Sequence, residues 1–341
     1  LLLEKEIADK GKARSSRMNI AEIAKLAGVS SAAVSRYFNN GHISDEKKEA
    51  IRKVVEETGY RPSVQAQTLR TKRTKMIGVI VPKVASASIG RIVEGILSIL
   101  NESEYQTLLA VTQNNPQKES EYLSAFNNKQ VDGVILSATV FTAEHKRILK
   151  NMLVPVVIVG QHLTGYHCVF HDDYHAAYDL TKLLLQKGRQ RLGYIGALQQ
   201  DKAVGAERYR GFCDAVSDMG YGCLAQNAVT ADFSIASGYE KTKELLERCS
   251  NLDGLVCATD TMAAGAMQYL GEQGIEVPKQ IVVAGQGDSD MARVTAPPLI
   301  TVHYSYERCG EIAVQMLMEM LEKGEASIKE VKLGYYIVEA S

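Results

Sequence analysis

The chain has 341 residues, 45% of them hydrophobic, and 39 Lys plus Arg against 40 Asp plus Glu give a formal net charge of −1. That length is too great for one small domain and fits about two or three. The absence of any long uncharged apolar run excludes a membrane-spanning helix.

Charge is unevenly placed: residues 1–75 hold 16 Lys plus Arg and 9 Asp plus Glu, whereas the rest hold 23 and 31. A basic amino-terminal module on an acidic body is the distribution expected of a phosphate-binding head on a regulatory body. Six cysteines (Cys168, Cys213, Cys223, Cys249, Cys257, Cys309) form no Cys-x-x-Cys pair, and no His stands at zinc spacing. They read as reduced thiols, mostly core fillers, with no metal site.

Residues 1–17 start Leu-Leu-Leu but turn charged at once, which leaves the apolar part too short for a secretory signal. They are expected to be a disordered, dispensable extension. From Met18 the pattern becomes helical. Ile20, Ile23, Ala24 and Ala27 recur at the spacing of one helix face, Asn19 is a good N-cap, and Gly28 ends the helix. A short step leads to a second helix, residues 31–38, with Ser30 as its N-cap and Val34 and Phe38 facing inward. Two short helices joined through a tight Gly-containing turn make a helix-turn-helix, whose second helix reads the major groove. A plain helical hairpin would look alike, but a third helix follows over 45–58, with Ser44 as N-cap and Gly59 as stop signal.

The run Ile23-Ala-Lys-Leu-Ala-Gly-Val-Ser30 with Val34-Ser-Arg36 resembles the headpiece motif of the lactose/galactose-repressor family of transcription regulators, and the resemblance extends over nearly the whole chain from Met18. It implies base-edge readers at Ser31, Ala32 and Arg36, with Asn39 and His42 near the backbone or groove edge; read locally, Asn39-Asn40-Gly41 is simply a turn. Arg36 can grip a guanine through two parallel hydrogen bonds, worth roughly 1 to 3 kcal/mol of discrimination. The small Ser31 and Ala32 offer one hydrogen bond and one thymine-methyl contact. Pro62 fits a first helical turn, so 64–70 can be helical, but so short a stretch is marginal alone. The resemblance implies a hinge helix that orders with its dimer mate on DNA, Leu69 wedged into a minor-groove base step. Thr71-Lys-Arg-Thr-Lys75 adds phosphate-seeking charge. The expected domains are a headpiece over 18–60, a hinge over 61–75 and an effector-binding and dimerisation domain over 76–341.

From Met76 short apolar strands alternate with helical runs: strands at 76–81, 105–111, 133–136 and 154–160, with helices at 89–101 and 116–129 between the first of them. A second set follows, with helices at 176–187, 206–219, 238–247 and 261–273 and strands at 191–196, 254–257 and 281–285. Such alternation indicates parallel doubly wound sheets. A late return at 299–302 and 307–322 completes the first unit. The fold class is thus multidomain, an all-α helix-turn-helix headpiece plus an α/β body of two lobes resembling periplasmic sugar-binding proteins. The first lobe is expected over 76–161 and 301–328, the second over 162–300 and 329–341.

Ligands of open parallel sheets sit beyond the carboxyl ends of the strands, here between the lobes. Strand ends and the family pattern together nominate Ser86, Gln161, Arg208, Phe233, Asp260, Asp288 and Tyr306. The resemblance makes Arg208 the holder of ligand hydroxyls or carboxylate, and Phe233 an aromatic platform for the apolar face of a sugar. Asp260 reads equally well as an N-cap for the helix from Thr261. The chain departs from the family at two carboxylates. It has Gly160-Gln161 where many members have Asp, and Gly285-Gln286-Gly287 with Asp288 one place late where they have Gly-Tyr-Asp. These runs resemble sucrose-operon repressors, which implies a disaccharide or phosphorylated sugar as effector.

A transport binding protein or a sugar-active enzyme would share the two-lobed body. The first lacks a reason for the DNA head. The second has no Gly-x-Gly-x-x-Gly after the first strand, no Gly-x-Ser-x-Gly elbow and no metal cluster to attach catalysis to. The expectation is a cytoplasmic, non-enzymatic, cofactor-free repressor of a carbohydrate-use operon, whose partners are double-stranded operator DNA, a small-molecule sugar and a second copy of itself. With no leucine heptad tail after Gly334-Tyr-Tyr-Ile-Val338, a dimer is expected rather than a tetramer.

Overall fold

A computed structural model describes residues 18–39, 41–60, 73–128, 130–324 and 327–339. The predicted extension and the predicted hinge helix with Leu69 lie outside the described residues. Two units separate, one ending at Thr74 and one beginning at Lys75.

The head is three helices, α1 (Ile20–Leu26), α2 (Ser31–Phe38) and α3 (Asp45–Thr58). Asn19 caps α1 by accepting the N–H groups of Ala21 and Glu22, and Glu22 returns a carboxylate to the Asn19 N–H at 2.8 Å. This reciprocal box satisfies donors that a helix start leaves orphaned. Ser30 caps α2 through the Ala33 N–H at 3.2 Å. Ser44 sits at the start of α3 in extended backbone, but its side chain makes no capping bond, so that expected cap is one of position only. Ile23, Ala24, Ala33, Val34, Ile51 and Tyr60 form the core, with Phe38 edge-on to Tyr60 at 5.7 Å.

The body holds two parallel sheets. The first contains β1 (Met76–Val81), β2 (Gln106–Val111), β3 (Gly133–Leu136), β4 (Val156–Val159), β5 (His167–His171) and β11 (Glu330–Leu333), in the order β11-β5-β4-β3-β1-β2. Its helices are α4 (Ala87–Leu100), α5 (Pro116–Asn127), α6 (Ala143–Lys150) and α12 (Tyr306–Lys323). The second contains β6 (Leu192–Gly196), β7 (Ala228–Thr230), β8 (Gly254–Cys257) and β9 (Val282–Ala284), in the order β7-β6-β8-β9. With it go α7 (Asp173–Gln186), α8 (Arg208–Asp218), α9 (Ile235–Arg248), α10 (Asp260–Glu272) and α11 (Asp290–Val294). Strands β3, β4 and β8 are buried along their whole length, the signature of a sheet covered on both faces. An antiparallel pair, β10 (Thr301–Tyr304) with β12 (Tyr335–Val338), stands apart from both sheets.

Two sequence expectations are corrected here. The span 162–300 with 329–341 does not all belong to the second lobe, because β5 pairs with β4 and β11 with β5 in the first sheet. Histidine at both ends of β5 interrupts the apolar run that marks a buried strand, and β11 alternates exposed charge with half-buried Val331 and Leu333, as a sheet edge does. The cysteines are not all free thiols either. Cys213 in α8 and Cys223 in the loop after it are joined in a disulfide, Cα atoms 5.2 Å apart, while Cys168, Cys249, Cys257 and Cys309 are free and buried. The turn at Gly220 folds the loop back on its helix, a proximity that no Cys spacing rule encodes.

The chain passes between lobes from β5 to α7, from β10 to α12 and from β11 to β12. These crossovers set the geometry of the cavity between them.

Candidate DNA-reading helix and interlobe cavity

In the head, Ala33 and Val34 of α2 are buried, while Ser31, Ala32 and Arg36 are exposed. Helical periodicity therefore turns the last three outward together. Asn39 closes the helix, its side-chain amide donating to the Ser35 carbonyl, and Gly41 N–H donates to the Arg36 carbonyl at 2.8 Å. His42 is exposed in the loop beyond.

In the body, a cavity of about 320 Å³ opens between the lobes. Its size is that of a small-molecule site. The first lobe lends Lys83, Ser86, Ser137, Thr139 and Gln161 from strand ends and the start of α4; the second lends Asp201, Arg208, Phe233, Asp260 and Ser289. His171, Asp173 and Tyr306 come from the crossovers. Close packing holds the middle of α4 against the start of α12, for a Cβ on Gly95 would fall 1.9 Å from the Glu307 carbonyl oxygen.

Arg208 is the buried centre. Its Nε donates to Asp173 Oδ1 at 2.7 Å, Nη1 to the Ala258 carbonyl at 2.6 Å, and its guanidinium lies 4.7 Å from the Tyr304 ring centroid. Burial works against its charge, but Tyr304 and Asp173 outweigh that and raise its pKa further. A π-helical turn, Lys202–Glu207, delivers it, anchored where Asp201 accepts the Val204 N–H at 3.0 Å. Side-chain hydrogen bonds also cross between the lobes. Gln161 Nε2 donates to Asp201 Oδ1 at 3.3 Å, and Arg91 of α4 donates to the Gly287 carbonyl with its guanidinium 4.9 Å from the Tyr306 ring.

Burial pushes Asp201 up to about 6, against the Val204 and Ala203 N–H groups that favour its charge. Burial likewise lowers His171 to about 4, with Asp173 opposing. The cavity wall thus mixes a charged donor, buried carboxylates and a neutral imidazole.

Residues 19–63 match the model of bacterial regulatory proteins of the lacI family, and residues 181–341 match that of the periplasmic binding protein-like domain. The sucrose operon repressor of Staphylococcus xylosus is 32% identical over 304 residues, 89% of this chain and 94% of the relative. The chain belongs to the lacI family. Among solved structures, a transcriptional regulator CelR–cellobiose complex superposes with a TM-score of 0.73 at 25% identity, covering 95% of this chain and 99% of that one. The lac repressor dimer bound to operator and an anti-inducer has a TM-score of 0.86 at 21% identity, over 94% and 98%, and so shares the fold. As a lacI-family member this chain is a DNA-binding transcription regulator, and its relatives are regulators, not enzymes.

On this lacI-family frame, Ser86, Gln161, Arg208, Phe233, Asp260 and Tyr306 are brought to one cavity. Asp288 is not. Its carboxylate turns to His303 Nδ1 at 2.8 Å and Arg293 Nη2 at 3.2 Å, because the one-place shift after Gly287 puts the side chain on the other side of the turn. Asp260 reaches the cavity but is already engaged, accepting from Thr301 Oγ1 on one oxygen and from the N–H and Oγ of Ser289 on the other. Nor is Asp260 the N-cap; Thr259 holds that place through the Met262 N–H at 3.3 Å. Sequence reasoning missed Lys83, His171, Asp173 and Asp201. The strand-end rule reaches Asp201 beyond β6, whereas His171 and Asp173 needed β5 to be recognised first.

Proposed function

We propose that this regulator represses a carbohydrate-use operon as a cytoplasmic homodimer, controlled by a sugar or sugar phosphate held between its lobes. One observation carries the reading: both lobes and the crossovers supply hydrogen-bonding groups to a single cavity, with the Phe233 ring among them. Polyhydroxylated ligands suit such a wall, since each hydroxyl both donates and accepts and the C–H faces pack on an aromatic ring. The names of two relatives support it, one a repressor of a sucrose operon and one in complex with cellobiose. Among the described residues no helix is long and apolar enough to cross a membrane.

In the proposed mechanism Ser31, Ala32 and Arg36 read base edges while Asn39 and His42 stand near the groove edge. Two heads related by a two-fold axis meet a pseudo-palindromic operator. A ligand that bridges the lobes favours one lobe arrangement, and the spacing of the paired first lobes sets the grip on DNA. Such coupling is typically about 1 to 3 kcal/mol and is reciprocal, so operator must alter ligand affinity by the factor by which ligand alters operator affinity.

The test is a thermal-shift screen of sugars and sugar phosphates, because a ligand bound only by the folded state raises its stability by mass action. Hits are then titrated with and without a palindromic fragment of the regulated promoter. A hit whose affinity changes with operator supports the reading; no hit, or equal affinity in both conditions, overturns it.

A further inference from the structure

Two buried side-chain atoms of the described residues have no hydrogen-bond partner, His171 Nε2 and Tyr194 Oη. Tyr194 is packed inside the second lobe against Tyr209 and Phe212 and does not line the cavity. His171 does line it, at 5% exposure, with its ring edge-on to Tyr304 at 5.3 Å and Tyr306 at 5.0 Å. The imidazole accordingly sits at the carboxyl end of β5, where the chain leaves the first lobe. The Ser305 backbone favours a proton on the ring, and with Nε2 unpartnered we assign that proton to Nδ1. The ring, held to about 4 by burial, is neutral near pH 7. With its single proton assigned to Nδ1, Nε2 keeps a lone pair. A buried acceptor without a donor is costly and uncommon in a native protein.

We propose that His171 Nε2 reads the cleft ligand by accepting a hydrogen bond from one hydroxyl of a vicinal diol, whose neighbouring hydroxyl meets Asp173 and Arg208. The proposal rests on the sugar reading above and sharpens it. Nε2 and the Asp173 carboxylate can only accept, whereas the Arg208 guanidinium can only donate. Asp173 lies two residues from His171 and is bonded to Arg208 at 2.7 Å, so the three groups form one connected patch of wall. Adjacent hydroxyls satisfy that pattern, with one proton to each acceptor and an oxygen lone pair to the guanidinium. A carboxylate, phosphate or carbonyl oxygen has no proton for Nε2 and would set lone pair against lone pair. A phosphorylated sugar must therefore turn its phosphoryl group away from His171.

Full-length protein is titrated calorimetrically with a panel of neutral mono- and disaccharides, including sucrose and cellobiose, and their 6-phosphates. His171→Phe keeps a ring but removes the acceptor; His171→Gln restores an acceptor oxygen. The expected result is binding by the wild type, about tenfold weaker binding by His171→Phe, and partial recovery in His171→Gln. Among singly deoxygenated analogues of the sugar that binds, one should lose about tenfold on the wild type and nothing on His171→Phe. Long-range proton–nitrogen spectra should show the Nε2 resonance moving on sugar addition, a readout that holds even if His171→Phe fails to fold. Unchanged affinity in His171→Gln and His171→Phe, or a stationary Nε2 resonance under saturating sugar, overturns the role of His171 while leaving the sugar reading intact. If no sugar in the panel binds the wild type, the sugar reading falls and this proposal falls with it.

Discussion

Arg208 and Asp173 meet at 2.7 Å with only 3% and 5% of their surfaces exposed, a charged pair held at the point where the first lobe hands the chain to the second. Removing one member of a buried pair strands the other in a poor solvent, at a cost of about 3 to 5 kcal/mol. Arg208→Gln should therefore destabilise the protein by an amount in that range, measured by urea unfolding followed by far-ultraviolet circular dichroism. Adding Asp173→Asn to it should recover part of the loss. If the two effects simply add, the carboxylate is not what the arginine serves.

Much of the architecture is legible in the chain because its signals are local. Asn19, Ser30 and Gly59 mark helix ends, and the apolar runs of β1, β3 and β8 mark strands, all through contacts within a few residues. Strand β5 escapes because histidines flank its apolar centre, and with it go His171 and Asp173. Helix α6 escapes because its composition is mostly polar, only His145, Ile148 and Leu149 being buried. In the cavity, a strand end nominates Gln161 and the family resemblance nominates Arg208 at a helix start, but residue type cannot tell an engaged carboxylate from an open one. Asp260 and Asp288 look alike as letters. One faces the cavity with both oxygens already taken, and the other faces His303 and Arg293.

The acid stability of the body should depend on two groups that oppose each other. His171, at about 4 in the folded protein against 6.5 ordinarily, lets the unfolded chain take up the proton first, so its share of stability falls as pH drops from 6.5 towards 4. Asp201, at about 6 against 3.8, is protonated first in the folded protein and adds stability over the window from 6 to 3.8. Each is of order 1 to 2 kcal/mol between pH 7 and 5. Asp201→Asn should therefore lose more stability than the wild type on going from pH 7 to 5, and His171→Asn should lose less. Urea midpoints at the two pH values decide it; parallel shifts in all three proteins would mean that neither group titrates as assigned.

Arg36 stands exposed on α2, while the core of the head is made by Ile23, Val34 and Ile51. Arg36→Ala should leave the melting of the head unchanged and weaken operator binding by about 1 to 3 kcal/mol. The loss should be confined to operators carrying a guanine at one symmetric position, so that changing that base costs the wild type much and the variant little. Fluorescence anisotropy on a set of single-base operator variants at fixed salt measures both terms. A uniform loss across all variants, with a shallower salt dependence, would reassign Arg36 to a phosphate contact.

Arg91 offers a way to move the lobes without touching the ligand. It is not among the cavity-lining residues, yet it ties α4 of the first lobe to the Gly287 carbonyl of the second and lies over Tyr306. The carbonyl is available there because residue 287 is glycine. Its φ of 139° suits no other residue, and a Cβ would approach Asp260 Oδ2 to 3.2 Å. A hydrogen bond from a charged donor is worth about 1.5 to 3 kcal/mol, and losing it should shift the lobe equilibrium away from the bridged arrangement by about that amount. Apparent ligand affinity scales with the population of the competent arrangement, so Arg91→Ala should weaken sugar binding by roughly ten- to a hundredfold with every cavity side chain intact. Solution scattering should report a larger radius of gyration for the ligand-free variant than for the wild type, and saturating ligand should bring the two together. Wild-type affinity with an unchanged scattering profile would show that the Arg91 contact does not set the balance between lobes.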